Sequence, residues 1–411
     1  MPTIPSTAVD LSGDAARRAE AAALARALLA TRKDTLAMFE EVRRLRGGLE
    51  VPYDPRLNPP LWELGHVGWF QEYWTSRNPD RRAGPRADPE ALRLPGVRRD
   101  ADALYDSSRV PHRARWSLRL PGAADTLDDL ARQLDATLAA LARADGDDAS
   151  LYFFRLVLFH EDMHHEAAIY MAQALGLPLG DAFGGLRTAP RAAVRRQLAI
   201  PGGTRQFGAA GEGFAFDNEL PPFAATLAPF TIDAAVVTWA DFLPFVEDGG
   251  YDARRFWSDA GWRWVRDTAA RGPRYLVRDG ATWQVERFGR RHALDPRLPA
   301  CHLAFHEASA WCEWAGRRLP SEFEWEAAAL EAPGEFVFGD VWEWTSSPFA
   351  PYAGFEPHPY RDYSAPWFDG RPVLRGASFA TQPRMKHVRY RNFFTADRND
   401  IFAGLRSCAR G

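Results

Sequence analysis

Cysteine is scarce. Cys301, Cys312 and Cys408 are the only three in 411 residues, and no two of them form a CxxC pair. That excludes a disulfide framework, and it fits a reducing compartment. An excess of one charge is lacking too. A formal net charge of −3, with both signs interspersed, suggests neither a nucleic-acid partner nor an anionic membrane. No apolar run reaches the ~18 residues that span a bilayer. The stretch from Met1 to Asp14 carries Pro, Ser, Thr and Asp without the apolar core of a secretory leader. The expectation is a soluble, cytoplasmic protein. Periodic repeats and low-complexity tracts are absent, and nothing in the sequence speaks to oligomeric state. What is abundant is aromatic: 15 Trp and 26 Phe suit pockets as well as cores.

A chain of this length favours two domains, and the sequence has two grammars. The first half reads as helices. Residues 15–46 are rich in Ala, Leu and Arg, with Leu24, Leu28, Leu36 and Phe39 near helical spacing. Asn58, Pro59 and Pro60 read as the N-cap and first turn of a second helix. Leu127, Leu130, Leu134, Leu138 and Leu141 stripe a third, and residues 151–175 form a fourth, stopped by Gly176 and Pro178. Four striped helices predict a bundle, whose core commonly holds metals. The crossover from Asn78 to Pro121 is too long for a turn, as functional loops often are. After Gly180 the grammar changes. Gly184-Gly185 reads as a linker, 226–237 and 372–379 as strands, and 239–246 and 307–314 as short helices. The expected organisation is a helical domain over 1–185 and a compact α+β domain over 186–411.

The most informative stretch is His160-Glu161-Asp162-Met163-His164 on the fourth helix. Side chains four apart stand one above the other on a helix, so two imidazoles can face one metal ion. His66, on the second helix, is a third candidate. Three neutral nitrogens from two helices leave one side of a metal open, as catalytic sites do. The residues alone leave other readings open. One is an HExxH zinc hydrolase with Glu161 as general base; another is a polar helix face that runs on through His165 and Glu166.

The second half carries Pro201-Gly202-Gly203-Thr204, Phe216-Asp217-Asn218-Glu219, Gly249-Gly250-Tyr251, Gly316-Arg317-Arg318-Leu319-Pro320-Ser321-Glu322, Val341-Trp342-Glu343-Trp344-Thr345 and Leu374-Arg375-Gly376-Ala377-Ser378, in that order. It resembles the formylglycine-generating-enzyme/sulfatase-modifying domain, which is related to C-type lectins. Its three cysteines do not match that enzyme's reactive pair, so formylglycine generation is not expected. The first half resembles the DinB-like four-helix bundle, whose metal ligands match His66, His160 and His164. Together, in this order, the halves resemble the ergothioneine-biosynthesis sulfoxide synthases, the EgtB family, over nearly the whole chain. The resemblance implies a non-haem Fe(II) enzyme that uses O2 to join sulfur to the imidazole of hercynine. It makes Glu161 a structural residue, or one that supports the ligands from behind, and not a protease base. It also places Asn392 and Phe393 against hercynine, and a proton-donating tyrosine in the loop that holds Tyr352, Tyr360, Tyr363 and His358.

Departures from that family's pattern bear on the donor. Family members that use γ-glutamylcysteine carry an Asp near Phe394 and an Arg near Arg398. Here Phe394 stands in the acidic place, and Met163 replaces a glutamine beside the last ligand. The arginine-bearing donor loop gives way to Leu104-Tyr105-Asp106-Ser107-Ser108-Arg109-Val110-Pro111-His112. Losing charged clamps and gaining hydroxyl and aromatic groups suits a sugar over a dipeptide, because a buried carboxylate without partners is costly. These features look like the selenoneine synthase (SenA) branch, which joins hercynine to 1-seleno-β-D-glucose. On that resemblance Ser107, Arg109 and His112 face the sugar. A sulfur donor (cysteine or γ-glutamylcysteine) is the nearest alternative, and a non-enzymatic small-molecule or glycan binder a further one.

Overall fold

Apolar stripes at helical spacing build the first half as expected. The computed structural model describes residues 11–180, 196–210 and 212–410; the boundary at 185/186 and the Gly184-Gly185 linker lie outside the described residues. Helix α1 (Gly13–Arg17) and helix α2 (Ala21–Arg46) divide what the composition predicts as one helix. Tertiary contacts explain the break: Arg155 donates to the Ala19 carbonyl (3.1 Å), and Arg17 donates to Glu219 in the other half (2.8 Å). Helix α3 (Pro60–Trp74) has Pro59 at its N-cap position, and Asn58 donates to Glu63 instead of capping. The crossover forms three short helical pieces, Arg81–Arg86, α4 (Ala101–Tyr105) and His112–Trp116. It packs back on α3 through Trp62 Nε1 to the Leu104 carbonyl (2.8 Å) and Trp69 Nε1 to Asp102 (2.7 Å).

Helix α5 (Ala123–Leu141) buries Leu130, Leu134, Thr137 and Leu141, and leaves Leu127 exposed at the end of the stripe. Helix α6 (Asp148–Ala174) starts on Asp147, whose carboxylate accepts from Ser150 N (3.0 Å). From Ser150 to Asp162 every residue of α6 is buried. It lies against α2 and α3 on one side and the second half on the other, so it is the common spine of the molecule.

The second half is built on two four-stranded sheets. One orders Gln197–Ile200, Phe230–Asp233, Cys408–Ala409 and Arg317–Arg318; the other orders Asn392–Phe393, Pro372–Arg375, Trp342–Pro348 and Ala403–Leu405. The strand expected over 226–237 splits into Phe223–Leu227 and Phe230–Asp233, which join different sheets. Pro229 sits between them and has no N–H for a ladder. The strand expected over 372–379 stops at Arg375, before Gly376 at φ 101°. The two short helices are present as Trp239–Glu247 and Phe305–Trp314.

Buried carboxylates of α6 join the halves. Glu166 accepts from Trp342 Nε1 (2.8 Å), Ser378 Oγ (2.5 Å) and Thr381 Oγ1 (2.7 Å). Asp162 accepts from Arg384 (2.6 Å) and Thr31 (2.7 Å). Cys301, Cys312 and Cys408 are buried in three separate apolar clusters, and burial raises the Cys301 and Cys408 thiols to about 12. Neither the placement nor the protonation suits a reactive pair. Among the described residues no helix is long and apolar enough to cross a membrane.

Candidate metal centre

The i, i+4 spacing on α6 and the packing of α3 against it bring three histidines together. One ring nitrogen each of His66, His160 and His164 lies within 4.8 Å of the others, and the Nε2 atoms of His160 and His164 are 3.2 Å apart. Two nitrogens bound to one ion at about 2.1 Å stand roughly 3–3.4 Å apart for angles between octahedral and tetrahedral.

The outer nitrogens fix which atom faces inward. His66 Nδ1 donates to the Tyr105 carbonyl (2.8 Å) and His164 Nδ1 donates to the Glu63 carboxylate. Both partners are acceptors only, so both Nδ1 atoms carry the proton and both Nε2 lone pairs are left for an ion. Phe70 stacks flat on the His160 ring (centroids 3.5 Å, 5°) and Trp62 on the His66 ring (4.8 Å, 10°). Burial, then the neighbouring imidazoles, push His160 well below its ordinary pKa; burial and His164 bring His66 to about 3. Neutral imidazoles crowded around an unprotonated centre fit a cation. The donor set, three nitrogens with no thiolate, suits Fe or Zn with open positions.

Glu161 takes no part in this cluster. Its carboxylate forms a two-pronged pair with Arg32 (2.8 and 3.1 Å) in the bundle core, which removes it as the base of a hydrolase.

Gly65 explains how the crossover can hold His66. A Cβ there would lie 2.3 Å from the Tyr105 ring, and the Tyr105 carbonyl is the partner of His66. Gly65→Ala is expected to cost about 1–3 kcal/mol through overpacking. It is also expected to weaken metal binding about tenfold through the displaced His66 partner, measurable by denaturant unfolding and metal titration.

An apolar space between α2, α3 and α6 reaches Glu63 and His164, and two further cavities hold residues expected at the site. One of about 200 Å³ reaches His164 and Met163 between the halves and is lined by Asn392, Phe394, Tyr170, Trp342 and Tyr390. The other, about 210 Å³, is lined by Asp106, Ser107, Ser108, Arg109, Asp362, Trp69 and Tyr73, with Phe70 and Tyr360 at its inner wall. Tyr360 packs edge-on against Phe70 (4.8 Å, 73°) and its ring centroid is 6.2 Å from that of His160. On the side of the first cavity, Tyr390 donates to Met163 Sδ (3.2 Å) and Tyr363 donates to Tyr390 (3.2 Å). Burial raises the phenols of Tyr360 and Tyr363, so both keep their protons at neutral pH.

The structure sorts the residues expected at the site. Asn392, Phe394 and Met163 line the first cavity; Ser107, Arg109 and Tyr360 line the second; Tyr363 stands behind Met163. Five others lie elsewhere. Phe393 alternates to the opposite side of its strand and stacks on Phe349 (4.0 Å, 16°). Tyr352 is buried against Glu322 (3.4 Å) under the Arg391 guanidinium. His112 is turned to the Leu57 carbonyl (2.7 Å) and Trp116. Arg398 is engaged by Asp400 (2.6 and 2.8 Å), with its guanidinium 4.8 Å above Phe394. His358 meets Tyr152 (2.9 Å) away from the histidine cluster. Glu63 and Phe70 are functional neighbours that sequence reading passes over, although they stand three before and four after His66, on its face of α3.

The chain is similar to known proteins over most of its length. The model for the sulfatase-modifying factor enzyme 1-like domain (FGE-sulfatase) matches residues 182–337 and 335–410. A hercynine oxygenase from Mycolicibacterium thermoresistibile is 34% identical, over 94% of this chain and 94% of its own. A hercynine oxygenase from Mycolicibacterium smegmatis is 32% identical, over 92% of this chain and 98% of its own. A formylglycine-generating enzyme from Streptomyces coelicolor is 37% identical over 41% of this chain and 58% of its own.

Proposed function

The chain belongs to the hercynine oxygenase family, and from that premise we propose that it is an iron-dependent selenoneine synthase. It is an oxygen-dependent oxidoreductase; its substrates on this reading are hercynine, O2 and a selenosugar, 1-seleno-β-D-glucose. The observation that carries the donor assignment is the charge of the second cavity. The lining holds Asp106, Glu90 and Asp362 with Arg109 and Arg361. Arg109 already lies 3.2 Å from Asp106 and Arg361 3.9 Å from Glu90, while Arg93, which also attracts Glu90, sits 4.5 Å over the Tyr73 ring. Each guanidinium of the lining is thus already engaged by a carboxylate and none is left to clamp a carboxylate of the donor, while hydroxyls, carboxylates and the Trp69 face suit a neutral polyol.

His66, His160 and His164 would hold the iron through Nε2. Bound there, Fe(II) supplies O2 activation and a cationic site for a selenolate. The chain's own residues do the rest. Asn392 hydrogen-bonds hercynine in the first cavity, and the Trp342, Tyr170, Tyr390 and Phe394 rings offer faces to its trimethylammonium head. Tyr360 and Tyr363, kept protonated by burial, stand at the two walls as proton donors. In the overall balance hercynine C2 loses hydrogen and gains selenium. One oxygen atom ends on selenium as the selenoxide, the other in water, and the two substrates together give four electrons to O2.

The test is anaerobic loading with Fe(II), then air and hercynine, with selenoglucose and γ-glutamylcysteine in separate tubes read by mass spectrometry. A selenium isotope pattern on hercynine in the sugar tube alone is the expected result. A sulfoxide adduct from the dipeptide would instead establish the second reading, a sulfur-using synthase, which the hercynine oxygenase relatives favour.

A further inference from the structure

The three histidines are not equivalent. His66 is backed by a neutral carbonyl and His160 by the flat face of Phe70, whereas His164 is backed by a buried carboxylate, Glu63. Glu63 is itself held. Its second oxygen accepts from the Asn58 amide, and the Asn58 carbonyl oxygen accepts from Arg115 (2.8 Å). Arg115 then lies 3.9 Å above the Trp62 ring, which stacks on His66. A continuous chain of contacts therefore leaves one histidine, passes through the last short helix of the crossover, and returns to another.

We propose that Glu63 is a positioning residue for His164, anchored through Asn58 by Arg115, and that the same arginine steadies His66 through Trp62. The long crossover thereby sets both the geometry and the donor strength of the centre. A carboxylate behind an imidazole raises its basicity and fixes its tautomer. A more basic ligand favours the higher oxidation state of the metal, so Glu63 lowers the potential of the centre. The inference rests on the reading that the three histidines hold iron.

Glu63→Gln keeps an acceptor for Nδ1 while removing the charge, and it also turns an amide N–H towards the Asn58 amide, so charge and the Asn58 anchor are lost together. The measurements are anaerobic Fe(II) titration against a competing chelator, the Fe(III)/Fe(II) potential by mediated titration, and circular dichroism to confirm folding. Glu63→Gln is expected to fold, to bind Fe(II) about 10–100-fold more weakly, and to have a more positive potential. Arg115→Met, which keeps an apolar stem over Trp62, is expected to shift affinity and potential in the same direction by less. It decides the matter if Glu63→Gln does not fold. Unchanged affinity and potential in the folded variants, with iron lost from His164→Ala, would overturn the role of Glu63 alone. Failure of the parent protein to bind Fe(II) would overturn the iron reading itself.

Discussion

His160→Ala is expected to abolish turnover and to empty the centre of metal. The loss in activity should exceed the roughly 100-fold that follows from changing a partner around the ligands, because no other side chain in either cavity can perform O2 chemistry. His160 is buried and covered face to face by Phe70, so solvent has little room to replace its nitrogen. The control stands five residues along the same helix. His165 is buried as well, but it faces Asp162, Arg384 and Asp34 and not the cluster, so His165→Ala should keep its metal. Metal content by mass spectrometry and O2 uptake with hercynine read both variants. Full metal occupancy in His160→Ala, or equal loss from His165→Ala, would defeat the three-histidine assignment.

The three-histidine cluster was legible because helices have a fixed period: His160 and His164 needed only α6 to be a helix, and His66 only a second helix beside it. The Glu161 question was not legible. HExxH reads identically whether its glutamate faces a metal or a guanidinium, and Arg32 lies 129 residues away. The donor-side residues scattered for a similar reason. His112 follows Ser107 and Arg109 by only a few positions, yet it turns into the short helix His112–Trp116 and meets Leu57. Phe393 follows Asn392 directly, and a strand sends neighbours to opposite faces. The split at Pro229 could have been read, since a proline within a run argues against one continuous strand. Contacts that cross from α6 to the second half, such as Glu166 with Trp342, Ser378 and Thr381, have no local pattern at all.

The buried Arg32–Glu161 pair makes the second large prediction. Arg32→Leu should destabilise the protein by about 3–5 kcal/mol, since removing one partner strands the other charge in the core. More than the carboxylate is stranded, because Arg32 also donates to the Leu130 carbonyl (2.9 Å) and to Gln71 Oε1 (3.1 Å). Replacing both members, Arg32→Met with Glu161→Met, removes the uncompensated charge and should recover the part of that loss owed to it, while the Leu130 carbonyl and Gln71 stay unpaired. The double variant also separates scaffold from chemistry. A hydrolase built on HExxH would lose all activity without Glu161, whereas here the glutamate only braces α6 against α2. Activity per folded molecule should therefore survive in the double variant while urea unfolding reports the stability of each. A folded double variant that binds metal and has no turnover would return Glu161 to the reaction.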